Sequence, residues 1–134
     1  MQTTLCILKP DSVAARNTGA MLTEIERSGL EIVALRKLRL SRADAEKFYA
    51  VHQQRPFFAT LVEFMTSGPV VVAALRGEDA ITRWRELMGA TDPAKAAAGT
   101  LRKRFGTNIE HNGCHGSDAA ETAQQEIAFF FPEL

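Results

Sequence analysis

Leu5-Cys6-Ile7-Leu8 is an unbroken apolar run, closed by Lys9-Pro10. A strand with apolar side chains on both faces needs cover above and below, as expected of the centre of a sheet. Proline cannot donate to a ladder, so Pro10 ends the strand, read here as Thr3–Lys9. The rest of the chain must supply neighbouring strands and the helices that cover them.

It does so in order. Thr18–Ser28 reads as a helix with Met21, Leu22 and Ile25 on one face and Gly29 as its stop. Leu30–Leu40 alternates and reads as a long half-buried strand. Ser41 with Asp44 opens a short helix to about Val51 by capping. Pro56 precedes a helix over Phe57–Thr66, which Gly68-Pro69 stops. Pro69–Leu75 is a valine-rich strand, and Asp79–Met88 a helix with Ile81, Trp84, Leu87 and Met88 inward. Residues 90–116 show no clean period, and long irregular segments in a domain often carry function. A short fourth strand is expected just before Ser117, and a last helix from Asp118, with Glu121 three residues on.

This is a βαββαβ plan of the α/β class: an α+β sandwich, ferredoxin-like, with a four-stranded antiparallel sheet and surrounding helices, expected on one face. With 134 residues and 46% apolar content, the chain reads as one domain, 1–134, with a core of its own.

Charge narrows the function. Sixteen basic and sixteen acidic residues cancel, which disfavours a general nucleic-acid or membrane-surface binder. Residues 82–106 hold six basic and two acidic groups, net +4, and residues 107–134 hold five acidic and no basic groups, net −5. Taken alone this reads as solvated loop charge. Cys6 and Cys114 cannot make a disulfide framework, and neither a signal segment nor a membrane span is apparent, so the expected setting is cytoplasmic. Gly-rich nucleotide-binding loops of the familiar types are absent.

Three histidines remain: His52, His111 and His115. His111-x-x-x-His115 with Cys114 does not read as a metal site, because Gly113 and Gly116 break any helix that would align the rings. His52 reads as a helix-end residue. His115 lies between two glycines, which allow close approach of a ligand, and just before a helix whose free N–H groups favour phosphate. In that helix Thr122 or Ala123, Glu126 and Phe130 share a face. A carboxylate there needs a partner, and His115 is the natural one. The pair is either structural, or a nucleophile with the carboxylate that sets its tautomer.

Asn112-x-x-His115-Gly116-Ser117-Asp118 resembles the active-site signature of nucleoside diphosphate kinases. Leu8-Lys9-Pro10-Asp11, Arg55-Pro56-Phe57-Phe58, Ser67-Gly68-Pro69-Val70, Gly89-Ala90-Thr91-Asp92-Pro93 and Gly99-Thr100-Leu101-Arg102 resemble the family's other blocks in the same order, over essentially the whole chain. The resemblance implies transfer of the terminal phosphate of a nucleoside triphosphate, ATP as main donor, to a nucleoside diphosphate. It implies that His115 is phosphorylated through Nδ1, Glu126 holds Nε2, and Ser117 supports Glu126. Lys9 and Asn112 would reach the sugar, Lys9 also the phosphate. Phe57 would stack on the base with Leu61 beside it. Arg85, Thr91 and Arg102 would hold phosphates, and Tyr49 would lie near the transferred group. Mg2+ would bridge the nucleotide phosphates, with few or no direct protein ligands. The resemblance also implies a homo-oligomer, tetramer or hexamer. Base specificity is expected to be broad, because a phenyl face accepts any base.

Two departures stand out. Arg102-Lys103-Arg104 is more basic than the family pattern, and Cys114 stands beside the nucleophile, which raises the question of oxidation. The competing readings are a non-catalytic nucleotide-binding module on the same fold and a small RNA binder.

Overall fold

A computed structural model describes all residues, 1–134. Four strands form one antiparallel sheet: β1 Gln2–Leu8, β2 Glu31–Leu38, β3 Val70–Gly77 and β4 Cys114–Gly116, in spatial order β2-β3-β1-β4. β1 is central, as its apolar run requires. It pairs β3 from Gln2 opposite Gly77 to Leu8 opposite Val71, and it pairs β4 with Ile7 opposite His115. β3 is as long as β2, eight residues each, and the β2–β3 register shifts between Ile32 and Ala34.

Seven α-helices join the strands: α1 Pro10–Ala14, α2 Thr18–Arg27, α3 Arg42–Phe48, α4 Phe58–Met65, α5 Ala80–Met88, α6 Leu101–Phe105 and α7 Ala120–Phe130. They cover both faces of the sheet, not one as the pattern led us to expect. Cys6 and Leu8 of β1 pack with Met21, Ile25, Trp84 and Met88 on one face. Leu5 and Ile7 pack with Val62, Met65, Phe130 and Phe131 on the other. The reason is in β1 and β3 themselves: successive side chains point to opposite faces, and both sets are apolar and buried. Each large side chain so buried contributes about 1.5–3 kcal/mol.

The local signals acted unevenly. Ser41 caps α3, accepting a hydrogen bond from the Asp44 N–H (3.0 Å), as its spacing indicates. Asp118 does not cap α7. That helix begins at Ala120 with Ala119 at its cap and no side-chain bond. The irregular stretch conceals α6, capped by Thr100, whose hydroxyl accepts from Lys103 N–H (3.3 Å). Tertiary packing, not periodicity, holds this five-residue helix, which is too short to stand on propensity.

Candidate active site

β4 is three residues long, and the middle one is His115. Its backbone is held twice: by the β1 ladder and by Trp84 of α5, whose Nε1–H donates to the His115 carbonyl (3.2 Å). Gly116 is demanded here by packing. A Cβ at this position would lie 2.5 Å from Met88 Cε and 2.7 Å from Trp84 Cδ1. Trp84 is fully buried and cannot yield easily. Gly116→Ala is therefore expected to destabilise the protein by about 1–3 kcal/mol through overpacking. A denaturant titration checks this, and an unchanged midpoint would remove the argument. Gly113, at φ +90°, serves the backbone instead, in a region that disfavours side chains.

The ring of His115 is oriented by α7. Its Nε2 lies 2.9 Å from Glu126 Oε1, and the Ser117 hydroxyl donates to the same oxygen (2.8 Å). Ser117, fully buried, accepts in turn from the Leu5 N–H of β1 (3.3 Å). A carboxylate accepting from Nε2–H leaves Nδ1 with the lone pair. The edge of the aromatic cluster closes around the ring, with Phe48 at 5.7 Å between centroids, in T-shaped contact.

Two concavities meet at His115 and His52. The larger, about 730 Å³, is lined by Lys9, Tyr49, Phe57, Leu61, Thr91, Arg102 and Asn112 among others. The second, about 590 Å³, lies on the α5–α7 side and carries Arg85, Lys47, Asp118 and Glu126. The sequence-derived site residues thus gather around one histidine, but Arg85 reaches it from the other side and is exposed.

The polar end of the larger cavity is tightly built. Lys9, buried at the end of β1, donates through Nζ to Asn112 Oδ1 (2.8 Å), and Asn112 Nδ2 donates to the Thr91 carbonyl (3.2 Å). Lys9 is therefore not an ordinary solvated lysine. Burial, helped by the Arg102 charge, lowers its pKa to about 8, against the raising effects of Cys114 and Asp11. Arg102 is held by two carbonyls, Nη1 donating to Gly89 (3.0 Å) and Nη2 to Cys114 (2.9 Å), while its Nε is buried without a partner. Burial also lowers the Arg102 pKa. The Tyr49 hydroxyl is likewise buried without a partner. Desolvation and then the Glu126 charge push its pKa far up, so it stays a neutral phenol. Lys9, Arg102 and a neutral phenol on one lining make this end of the cavity chemically suited to an anion.

The apolar end is open. Phe57 is 47% exposed at the mouth, while its neighbour Phe58 turns into the core, so the pair divides between ligand surface and packing. Ile109, 58% exposed, lines the same cavity, as do Thr60, Phe64, Glu110 and His111. Ile109 and Glu110 are not legible in the sequence because their segment has no period, while Thr60 and Phe64 lie on the helix read over Phe57–Thr66, whose pattern does not say which face lines a cavity. An exposed isoleucine three residues before Asn112 was the available signal.

The departures also resolve. Arg102 points inward, Lys103 is exposed outside both cavities, and Arg104 lies over Phe105 (4.7 Å) and pairs with Glu24 (3.7 Å). The basic run is three separate roles, not one patch. Cys114 is fully buried and its thiol is pushed up to about 11 by burial, against the Arg102 and Lys9 charges. A protonated, enclosed thiol is a poor target for oxidants. No group of three or more His, Cys, Asp or Glu side chains is placed to hold a metal ion. No helix is long and apolar enough to cross a membrane.

Comparison with known proteins gives a consistent result. The family model described as nucleoside diphosphate kinase matches residues 2–134. A nucleoside diphosphate kinase of Desulfovibrio desulfuricans is 59% identical over 134 residues, 100% of this chain and 96% of that one. One of Burkholderia thailandensis is 60% identical, over 100% and 95%. Among solved structures, the Aquifex aeolicus nucleoside diphosphate kinase superposes with TM-score 0.95 at 47% identity, covering 97% of this chain and 94% of that one. A halophilic nucleoside diphosphate kinase of Halobacterium salinarum, in complex with CDP, gives 0.93 at 41%, covering 97% and 87%.

Proposed function

Because the chain belongs to the nucleoside diphosphate kinase family, we propose that it moves phosphate in two half-reactions through His115. The family carries the activity itself: transfer of a terminal phosphoryl group from a nucleoside triphosphate to a nucleoside diphosphate. The observation that supports His115 is the 2.9 Å contact of its Nε2 with Glu126, which leaves Nδ1 as the nucleophile. In the first half, Nδ1 attacks the γ-phosphorus, the bond to the β–γ bridging oxygen breaks, and a diphosphate leaves. In the second, a terminal oxygen of the acceptor's β-phosphate attacks that phosphorus and the N–P bond breaks. The Nε2 proton stays on the ring throughout, held by Glu126, whose charge stabilises the positive imidazole as the N–P bond forms.

Phosphoryl transfer depends chiefly on placement and charge neutralisation. Arg102 and Lys9 suit phosphate oxygens by their charge, and Thr91 lines the same cavity. Arg85 suits them from the other side of the ring. Tyr49 suits the transferred group as a neutral donor. Lys9 and Asn112 suit the sugar, and Phe57 with Leu61 the base. A divalent metal, magnesium in this proposal, would enter with the nucleotide and help neutralise phosphate charge, while Lys9, Arg102 and Arg85 supply the protein's own positive charge. ATP is the proposed main donor.

The experiment is intact mass after mixing with magnesium ATP, then with a diphosphate. One acid-labile phosphoryl group should appear, map to His115, and vanish when the diphosphate is added. An unchanged mass despite nucleotide binding would overturn the mechanism. Nothing in the geometry favours the non-catalytic module.

Phe57 and the aliphatic side chains that line the same cavity offer apolar surface without base-edge readers, and we propose broad base acceptance, consistent with the CDP held by the halophilic relative. Values of kcat/KM for purine and pyrimidine diphosphates are expected to lie within about tenfold of each other, a difference of ~1.4 kcal/mol. A wider spread would show that base edges are read. Lys9 sets a pH limit. A lysine lowered to about 8 loses its charge above that pH, so kcat/KM for the diphosphate should fall as pH rises through 8. A flat profile from pH 7 to 9.5 would contradict this.

We also propose a homo-oligomer, tetramer or hexamer. β2 supports it, as an edge strand with Leu35 half-exposed and its outer backbone unpaired. A single chain-length domain and a cytoplasmic setting complete the proposal. The latter is supported by two buried cysteines left as free thiols.

A further inference from the structure

His111 has no part in the chemistry proposed above, yet it is held firmly. Its exposed ring stacks on Phe64 of α4, with centroids 4.4 Å apart and planes at 28°. Its main chain closes a small loop. The carbonyl accepts from the N–H groups of Thr107 (2.8 Å) and Asn108 (3.3 Å), and its own N–H donates to Asn108 Oδ1 (2.9 Å). His111 is therefore both the closure of the 107–111 loop and its aromatic attachment to α4.

What that attachment joins is informative. The loop carries Ile109, and α4 with its first turn carries Phe57 and Leu61, all lining one cavity. Ile109 and Phe57 are large apolar side chains left open to solvent on two separate elements. Both line the one cavity, whose apolar part is the slot in which a flat, apolar-faced group could lie. No backbone hydrogen bond ties the loop to α4, and no side-chain bond of His111 does so. Between the loop and α4 the tie is the side-chain packing of His111 on Phe64, while the loop's flanks are anchored elsewhere, Gly106 N–H donating to the Arg102 carbonyl (2.8 Å) and Lys9 N–H to the Gly113 carbonyl (2.9 Å).

We propose that the His111–Phe64 stack sets the spacing of this slot, making His111 a positioning residue for the nucleotide base. The proposal rests on the reading of the cavity as a nucleotide site. It separates base recognition from phosphate recognition, because the Lys9, Asn112 and Arg102 bonds do not pass through the stack.

The test is calorimetric titration of the full chain with two probes, ADP and ribose 5-diphosphate, the second having the same phosphates and no base. In His111→Ala, ADP affinity is expected to fall about 3- to 10-fold, the range of one aromatic pair, with ribose 5-diphosphate unaffected. His111→Tyr should restore ADP binding to within about twofold, since a tyrosine ring can stack in the same place. In turnover, KM for ADP should rise with kcat retained.

Unchanged ADP affinity in His111→Ala would overturn the proposal. So would an equal loss for ribose 5-diphosphate, or a tyrosine variant as weak as alanine. Binding is measured without transfer, so failure to detect a phosphoenzyme would count against His115 chemistry and leave this test intact.

Discussion

Replacing His115 by alanine is expected to lower phosphoryl transfer by at least about 10⁴-fold, because the proposed two-step route loses its nucleophile and transfer must proceed directly or not at all. The fold should survive. The ring contributes one strong contact, to Glu126, while the strand is held by the β1 ladder and the Trp84 bond to the His115 carbonyl. Losing one partly buried hydrogen bond costs about 1–2 kcal/mol. For a chain of this size that lowers Tm by a few degrees, roughly 3–8 °C. Steady-state assay with circular dichroism melting checks both halves. Turnover equal to the parent, or a phosphoryl group still found on the alanine variant, would move the nucleophile elsewhere.

Glu126→Ala is the second large effect, and it differs in kind. The nucleophile remains, but two donors lose their acceptor: His115 Nε2 and the Ser117 hydroxyl. The ring is then free to take the other tautomer, with the proton on Nδ1, where no attack is possible. A fall in kcat of about 10²-fold is expected, the lower range for a positioned acid–base partner. Stability should drop as well, by about 1–3 kcal/mol, because Ser117 is fully buried and its hydroxyl would be left without its acceptor. The phosphoenzyme should still form, slowly, which distinguishes this variant from His115→Ala. Single-turnover quench kinetics measure it. A Glu126→Ala enzyme with parental kcat would reduce the pair to a structural contact, the alternative that spacing left open.

The division between what could and could not be read follows physical lines. Helix spacing put Glu126 and Phe130 on one face, and that geometry holds: Phe130 is in the core, and Glu126 meets the histidine. The apolar run of β1 required a central strand, and the sheet order gives it one. Ser41 capped the helix it preceded. In each case the information is local, carried by residues within one or two turns or one pleat of each other.

The remainder came from contacts between distant segments. Gly116 lines the cavity beside His115, but what excludes a side chain there is Trp84, thirty-two residues earlier in the chain, which no local pattern shows. Arg102-Lys103-Arg104 looked like one basic feature, until one side turned to two carbonyls and the pocket, another to solvent, and the third to Glu24. Cys114 looked exposed to oxidation by its place beside the nucleophile, but the core closes over it. Ile109, Glu110 and His111 carried no periodic signal because a loop closed by its own hydrogen bonds needs none.

By itself, then, the sequence determined the strand and helix plan, the histidine–carboxylate pair and the family's ordered blocks. These depend on the 2.0 and 3.6 residue periods and on short motifs. The tertiary structure alone decided which face of the sheet each helix covers, which cations turn inward, and how the pocket mouth is held. Those outcomes depend on desolvation and packing between segments far apart in the chain, where a side chain's neighbours, and not its own sequence context, set its energy.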